Sequence, residues 1–249
     1  MRLRSTLRSL ALLAALAVIP AALRGQDDDA VRGVLSADSV VGSDTRELVV
    51  VLHGMGRTSR SMRPVELALR EAGFDVLNIG YSSYCCSIPE LGAAVQREIA
   101  AQRRPQHARV HFVGHSLGNI IARWVVAQDD APPGLGRLVM LAPPNQGARM
   151  ANRFSGIAGW LLEPIDELRA DSAATVRRIP TPAGVEIGVI AGRDDSTVRI
   201  EETHVAGETA HIVVKGNHTF IMREPEVQRL AVEFLKSGRF TPPAAGGSR

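Results

Sequence analysis

Residues 109–128, RVHFVGHSLGNIIARWVVAQ, decide the fold of this chain. The segment RVHFV is typical of a short buried strand, and LGNIIARWVV is typical of a helix. The sequence GHSLG, at 114–118, stands between them. It is a G-x-S-x-G motif in the strand–turn–helix context that the motif requires. The sequence therefore predicts a strand that reverses into a helix at Ser116.

This turn has the features of a nucleophile site. A reversal within about one residue strains the backbone at Ser116 and lifts its hydroxyl above the sheet. Gly114 and Gly118 have no side chains to clash at the crowded corner, and His115 completes the motif. The helix that begins at Leu117 points its free N–H groups to the same place and favours developing negative charge there. Ser116 is the candidate nucleophile.

Outward from this motif, short apolar runs alternate with helical patterns, which indicates βαβ units and a parallel sheet. The predicted fold class is therefore α/β. The predicted strands are 47–52, 74–81, 109–113, 138–141, 185–191 and 211–214. The predicted helices are 62–71, 88–103, 117–128 and 226–236.

A second motif, His53-Gly54-Met55-Gly56, directly follows the first predicted strand. Attack by a serine on a carbonyl carbon gives a tetrahedral intermediate, whose oxyanion is stabilised by two backbone N–H donors. We expect those donors to be the amides of Met55 and Leu117, because the two glycines let the backbone bend and approach closely. His53 is expected to brace this loop by hydrogen bonds. The alternative is a plain strand-to-helix turn.

A serine nucleophile needs a base, and His218 is the best candidate among the seven histidines. It follows the last predicted strand and precedes the last helix. Loops at the C-terminal ends of parallel strands share one edge of the sheet with Ser116. His211 begins a strand, which would fix its side chain on a sheet face, and His107 is predicted in a polar loop.

The base needs a carboxylate that fixes its tautomer and stabilises the imidazolium. Asp194 and Asp195 both follow the fifth predicted strand, at the same sheet edge. Only one of two neighbours can face His218, and position alone leaves both open. The resulting chain order of serine, acid and histidine is the order of α/β-hydrolases.

With these motifs in place, the chain resembles the α/β-hydrolase superfamily, in particular bacterial triacylglycerol lipases and esterases. The resemblance covers about residues 47–240 and implies helices on both faces of a mostly parallel central sheet. Its motifs in this sequence are VVVLHGMG, NIGYSSYCCSIPEL, VGHSLGN, LAPPNQGA, IAGRDDSTV and NHTFIM. The family pattern G-x-x-D-x-x-V matches Gly192, Asp195 and Val198, which favours Asp195 as the acid. Many relatives carry Tyr-Pro after the second strand, where this chain has Tyr81-Ser82.

The resemblance implies hydrolysis of a small-molecule or lipid ester through an acyl-enzyme, with no metal and no cofactor. A lipid substrate would also bring the protein to a membrane surface. The same residues could serve a thioesterase, an amidase or another acyl transferase. A non-catalytic binding protein of the cell envelope is a further alternative, because one fold hosts many functions.

A cap or lid-like insertion is predicted at about residues 145–183, where no clear strand occurs. Trp160, Leu161 and Leu162 form an apolar island in it. Long insertions in compact α/β folds are often functional, and an apolar one favours a carboxylester or lipid substrate. The alternative is an ordinary crossover helix that packs Trp160 into the core.

The N-terminus has the order of a secretory signal in residues 1–25: a basic start, an apolar run and small residues. We therefore expect an exported protein, periplasmic or secreted, and the alternative is an uncleaved membrane anchor. The expected hydrolase domain is 26–240, followed by a loose tail at 241–249. Without residues 1–25 the chain has 25 basic and 26 acidic residues. That balance argues against nucleic acid, whose phosphates need a clustered basic face.

The two cysteines, Cys85 and Cys86, are adjacent. Their spacing does not fit a zinc site. An export compartment permits disulfides. The sequence therefore leaves two alternatives, a disulfide between these neighbours or two free thiols.

Overall fold

The computed structural model describes residues 45–147, 175–181 and 184–241. Six strands are present: β1 (Arg46–Leu52), β2 (Asp75–Ile79), β3 (His107–His115), β4 (Leu135–Leu141), β5 (Ile187–Gly192) and β6 (Ala210–Val214). The α-helices are α1 (Arg63–Glu71), α2 (Ile88–Gln102), α3 (Leu117–Val126), α4 (Thr175–Arg178), α5 (Ile200–Thr203) and α6 (Pro225–Ser237). Two 3₁₀ turns, Ser59–Met62 and Ile221–Arg223, precede α1 and α6.

The strands form one sheet in the order β2-β1-β3-β4-β5-β6, and all five neighbouring pairs are parallel. The C-terminal ends of the strands therefore lie along one edge. The loops that follow β1, β2, β3, β5 and β6 all leave from that edge. This topology brings the candidate site residues to the same side of the molecule.

Two apolar cores cover the two faces of the sheet. One contains Phe112 and Met140 of the sheet with residues of α2 and α3. The other contains Val113 and Val139, which are adjacent to Phe112 and Met140 in the same strands, with residues of α1 and α6. Because neighbouring strand residues point to opposite faces, both sides of β3 and β4 are buried. This burial on both faces explains why the sequences of these strands are continuous apolar runs.

The helix ends have local causes. Helix α2 begins at a capping box, in which the Ser87 hydroxyl accepts the Glu90 N–H and the Glu90 carboxylate accepts the Ser87 N–H. Helix α6 begins with Pro225 and ends at Gly238, whose φ of 72° lies in the left-handed region that favours glycine.

The predicted α/β class, the parallel sheet and the helices on both faces are confirmed. Each predicted strand and main helix is present, and its ends differ from the prediction by up to three residues. His107 is an exception: it is the first residue of β3 and is buried, because its ring pairs with Asp75 of β2, on the far side of β1. The prediction of a polar loop there is wrong.

Several predicted segments lie outside the described residues. They are the N-terminal signal or anchor at 1–25, most of the insertion with its island around Trp160, and nearly all of the C-terminal tail. Within the described ranges, no helix combines the length and apolarity that crossing a bilayer requires.

Candidate active site

Ser116 occupies the turn between β3 and α3. Its φ of 50° and ψ of −120° are strained for a residue with a side chain. The Ser116 N–H donates to the carbonyl of Leu141, at the end of the adjacent strand β4, over 3.0 Å. A Cβ at Gly118 would lie 2.5 Å from the Leu52 carbonyl oxygen, and one at Gly114 would lie 2.7 Å from the Asn119 nitrogen. Only glycine fits at either position without backbone movement.

The structure brings Ser116, His218 and Asp195 together from the loops after β3, β6 and β5. The His218 Nε2 lies 2.9 Å from the Ser116 Oγ, and the His218 Nδ1 lies 2.7 Å from the Asp195 Oδ2. The His218 side chain is 14% exposed and that of Asp195 is 1% exposed. The imidazole of His218 thus links a half-buried serine to a carboxylate that is fully buried.

The position of Asp195 explains the spacing G-x-x-D-x-x-V. Its second oxygen, Oδ1, accepts the N–H groups of Thr197 and Val198, each over 2.8 Å. A Cβ at Gly192 would lie 2.5 Å from the Gly216 carbonyl oxygen, so the loops after β5 and β6 are in close contact. Asp194 is exposed. Of the two neighbouring acids, Asp195 is the one that contacts His218.

His115 is buried next to the serine, and its Nε2–H donates to the main-chain carbonyl of His218 over 2.8 Å. Burial, together with the smaller effect of the nearby His218, lowers the pKa of His115 to about 3. The ring therefore stays neutral near pH 7, where a second positive charge would disfavour the His218 imidazolium.

The two candidate oxyanion donors belong to segments that border Ser116. Leu117 begins α3, and Met55 lies in the turn after β1, which the Arg57 N–H closes by donating to the Gly54 carbonyl over 3.2 Å. No hydrogen bond from the Met55 or Leu117 amide to another group in the described part of the chain is seen. A Cβ at Gly54 would meet His115 and the Ser116 Cβ, which places this turn against the serine.

His53 holds the start of that turn. Its Nδ1–H donates to the Gly54 carbonyl over 2.9 Å, and its Nε2 accepts the N–H of Tyr81 over 3.3 Å. The two rings stack with their centroids 4.0 Å apart. Burial lowers the pKa of His53. A neutral ring with both nitrogens occupied is a structural support and is not free to act as a base.

The loop after β2 supplies contacts that the sequence analysis missed. The Tyr81 hydroxyl donates to the His53 carbonyl, and the Ser83 Oγ accepts the N–H of Gly56. The available signal was strand order: β2 pairs with β1, so their following loops are neighbours. Neither residue belongs to a motif with a chemical role, so these contacts could be predicted only once the order of the strands was known.

Arg123 connects helix α3 to both described ends of the predicted insertion. Its guanidinium donates to the Asn145 Oδ1 over 3.2 Å and to the Ile179 carbonyl over 2.8 Å. Burial lowers the pKa of Arg123 to about 10, which still leaves it charged at neutral pH. Asn145 in turn donates to the Thr203 carbonyl over 2.7 Å. The turn PPNQG at 143–147 is therefore fixed to helix α3.

No group of three or more metal-ligating side chains that could hold an ion occurs in residues 45–147, 175–181 and 184–241. Cys85 and Cys86 form a disulfide with a Cα–Cα distance of 3.8 Å, which resolves the two alternatives for this pair. The groups that meet at the candidate site are a hydroxyl, an imidazole and a carboxylate.

Solved structures share this fold. The mature form of the lipase BlEst2 from Bacillus licheniformis has a TM-score of 0.63 and 15% identity, and the match covers 72% of this chain and 87% of the lipase. The Pyrococcus furiosus esterase PF2001 has a TM-score of 0.54 and 20% identity, with 78% and 83% covered. The pyrethroid hydrolase PytH has a TM-score of 0.56 and 17% identity, with 78% and 99% covered.

No protein-family model and no curated protein sequence matches the chain. The structural matches establish the fold, and the chain has the α/β-hydrolase fold. The function of the site is therefore inferred from the geometry of its own residues.

Proposed function

We propose that this protein is a serine hydrolase that cleaves carboxylic esters through an acyl-enzyme. The observation that carries the proposal is the single imidazole of His218, held 2.9 Å from the Ser116 Oγ and 2.7 Å from the Asp195 Oδ2. A carboxylate on Nδ1 leaves Nε2 as the acceptor that faces the hydroxyl, which is the tautomer that general-base catalysis needs.

In the acylation step, the Ser116 Oγ bonds to the ester carbonyl carbon while its proton moves to the His218 Nε2. The carbonyl electrons move to its oxygen, which becomes the oxyanion. When that intermediate collapses, the bond between the carbonyl carbon and the alcohol oxygen breaks. The alcohol leaves with the proton from His218, and Asp195 stabilises the imidazolium throughout.

In the deacylation step, water takes the place of the alcohol. His218 accepts a proton from water as the water oxygen bonds to the acyl carbon. Collapse of the second tetrahedral intermediate breaks the bond to Ser116, which recovers its proton from His218. The products are a carboxylic acid and an alcohol, and the enzyme is restored.

The Met55 and Leu117 amides are the proposed oxyanion donors. Both lie beside Ser116 and neither is used by another hydrogen bond in the described structure. Fixed dipoles aimed at a developing charge supply a large part of the stabilisation in such reactions, and losing one donor costs on the order of 10²–10³ in rate.

Two exposed aromatic side chains support an apolar substrate. Tyr84 is 51% exposed, and its hydroxyl lies against Gly56, where it would be 2.5 Å from an added Cβ. Phe220 is 40% exposed and is two residues after His218. Both lie beside elements that the mechanism uses, where water-exposed rings suit contact with an apolar ligand. Structural neighbours described as a lipase, an esterase and a carboxyl esterase fit an ester substrate.

We also propose that residues 1–25 direct export, so that the enzyme works in the periplasm or outside the cell. The order of charged, apolar and small residues supports this, and a disulfide is compatible with an oxidising compartment. N-terminal sequencing of the protein from fractionated cells tests it: a mature form that begins beyond the apolar run is expected, and an intact Met1 in the cytoplasm would contradict it.

The function is tested with p-nitrophenyl esters from acetate to palmitate, on the wild type and on Ser116→Ala. We expect turnover by the wild type and a loss on the order of 10⁶ in kcat in the variant, as for nucleophile removal in related triads. Unchanged circular dichroism shows that the variant is folded. Rates with a matched thioester and a matched anilide distinguish a preference for esters from the other acyl-transfer reactions. Esterase activity retained by Ser116→Ala would refute the proposal.

A further inference from the structure

Ser83 is a buried polar residue that the proposed mechanism does not use. It lies in the loop between β2 and α2, where its neighbours Ser82 and Tyr84 are exposed and Ser83 itself is 2% exposed. Its Oγ accepts the N–H of Gly56 over 2.9 Å. Burying a hydroxyl is favourable only when it is hydrogen-bonded, so this contact accounts for the inward direction of the loop at Ser83.

Gly56 is the residue after Met55, the proposed oxyanion donor. Residues 54–57 form a turn, in which the Arg57 N–H donates to the Gly54 carbonyl. Gly56, with a φ of 66°, occupies the third position, and Met55 has no positive φ. This combination is a type II turn, whose central peptide is rotated by about 180° relative to type I. The Ser83 contact holds the N–H of that central peptide.

The side of the turn that faces the serine is already fixed, because His53 supports its start and Gly54 packs against His115. Rotation of the peptide between Met55 and Gly56 is the freedom that remains. That rotation changes ψ of Met55 and φ of Gly56. The Met55 N–H belongs to the preceding peptide, which joins the rotating one at the Met55 Cα, so holding the Gly56 N–H restricts the turn of the Met55 N–H about φ of Met55. Ser83 is the acceptor of the Gly56 N–H in the described part of the chain, so without it this hydrogen bond no longer selects one peptide orientation.

The loop that carries Ser83 is itself held at both ends. On one side, Tyr81 donates its hydroxyl to the His53 carbonyl and stacks on the His53 ring. On the other side, the Cys85–Cys86 disulfide and the Ser87 cap of α2 follow within four residues. Ser83 therefore presents a fixed acceptor to the turn, as preorganised catalysis requires.

We propose that Ser83 is a positioning residue for the oxyanion turn: by accepting the Gly56 N–H, it holds the Met55 amide in its catalytic direction. The inference rests on the proposed ester hydrolysis. It predicts that Ser83 acts on the stabilisation of the transition state and not on ester binding, because the Met55 amide matters most when charge develops on the oxygen.

The test compares Ser83→Ala with the matched control Ser82→Ala, one residue away and exposed. With p-nitrophenyl butyrate, we expect Ser83→Ala to lower kcat about tenfold, which is less than the 10²–10³ cost of losing a donor outright. KM should change less than about twofold. The inhibition constant of an aliphatic trifluoromethyl ketone, which forms a charged tetrahedral adduct, should rise by the factor lost in kcat/KM. Ser82→Ala should match the wild type in all three constants.

Two further measurements separate this role from loss of structure. Ser83→Thr keeps the hydroxyl and should recover most of kcat. Amide hydrogen exchange over residues 53–58 should accelerate in Ser83→Ala and not in Ser82→Ala, a result that does not depend on any activity. An unchanged kcat in Ser83→Ala, or exchange as slow as in the wild type, would overturn the proposal. A wild type without turnover would instead refute the proposed function, and the exchange measurement would still decide the Ser83 contact.

Discussion

The ring of His115 is hydrogen-bonded to the main chain of His218: its Nε2–H donates to the His218 carbonyl over 2.8 Å, across 103 positions of sequence. The residue before the proposed nucleophile thus holds the backbone of the proposed base. This contact joins the turn after β3 to the loop after β6. It therefore helps to keep the His218 Nε2 2.9 Å from the Ser116 Oγ, and it does so without involving the reacting side chains.

Replacing His115 with Phe keeps most of the ring volume and removes the donor. A neutral hydrogen bond contributes about 0.5–1.5 kcal/mol, so we expect kcat for p-nitrophenyl butyrate to fall roughly 2–10-fold. His204→Ala, at an exposed histidine in α5's following turn, is the control and should leave kcat unchanged. Wild-type kcat in His115→Phe would show that the base does not need this support.

Acid should destabilise the protein through its buried histidines. Burial lowers the pKa of His115 to about 3, against about 6.5 in the unfolded chain, and also lowers the pKa values of His53, His111 and His211. Between these pH values the unfolded chain binds more protons, so the free energy of unfolding is highest above pH 6.5 and falls as the pH decreases.

Urea titrations at pH 7.5, 6.5, 5.5 and 4.5 measure this dependence. His115 alone should contribute a slope that approaches 1.4 kcal/mol per pH unit well below pH 6.5. The slope of His115→Phe should be shallower by up to that amount. Parallel curves for the two proteins would contradict this, because they would mean that His115 binds its proton equally well in the folded and unfolded chain.

The neighbouring acids offer a matched pair of variants. Asp195 contacts His218 and two backbone amides, whereas Asp194 is exposed. Asp195→Asn should lower kcat by on the order of 10⁴, because an amide stabilises neither the required tautomer nor the imidazolium. Asp194→Asn should retain wild-type kcat. Equal losses in both variants would contradict the assignment of the acid.

The cysteine pair should affect activity more than stability. A disulfide between neighbours closes the shortest loop and removes little entropy from the unfolded chain, so Cys85→Ser with Cys86→Ser should shift Tm by less than about 3 °C. Because Cys85 is only two residues after Ser83, we expect kcat to fall about threefold. A phosphine reductant should lower wild-type kcat to the level of the double variant and leave that variant unaffected. A wild type that is insensitive to the reductant would contradict the link to the oxyanion turn.

The sequence predicted the layout because the relevant signals are local. Apolar runs alternating with helical patterns indicated a parallel sheet, and GHSLG at 114–118 indicated the turn that carries Ser116. The ends of parallel strands share an edge, so a loop histidine could be chosen by position. Position also indicated the loop that carries the acid, and the family pattern G-x-x-D-x-x-V favoured Asp195 over Asp194 in it. These inferences needed no side-chain coordinates.

The supporting contacts could not be predicted in the same way. Ser83 and Gly56 are 27 residues apart, and only the β2–β1 pairing makes their loops neighbours. His107 was misplaced because its polar surroundings in sequence indicated a loop, whereas the carboxylate of Asp75 allows its ring to be buried in the sheet. Such pairs depend on tertiary contacts between residues that carry no motif.

The most direct test of the central claim is covalent labelling with a fluorophosphonate, followed by mass spectrometry of the digested protein. An activated serine is predicted to give one adduct, on the peptide that contains Ser116, with labelling abolished in Ser116→Ala and strongly slowed in His218→Ala. An unlabelled wild type, or an adduct that persists in Ser116→Ala, would contradict the account.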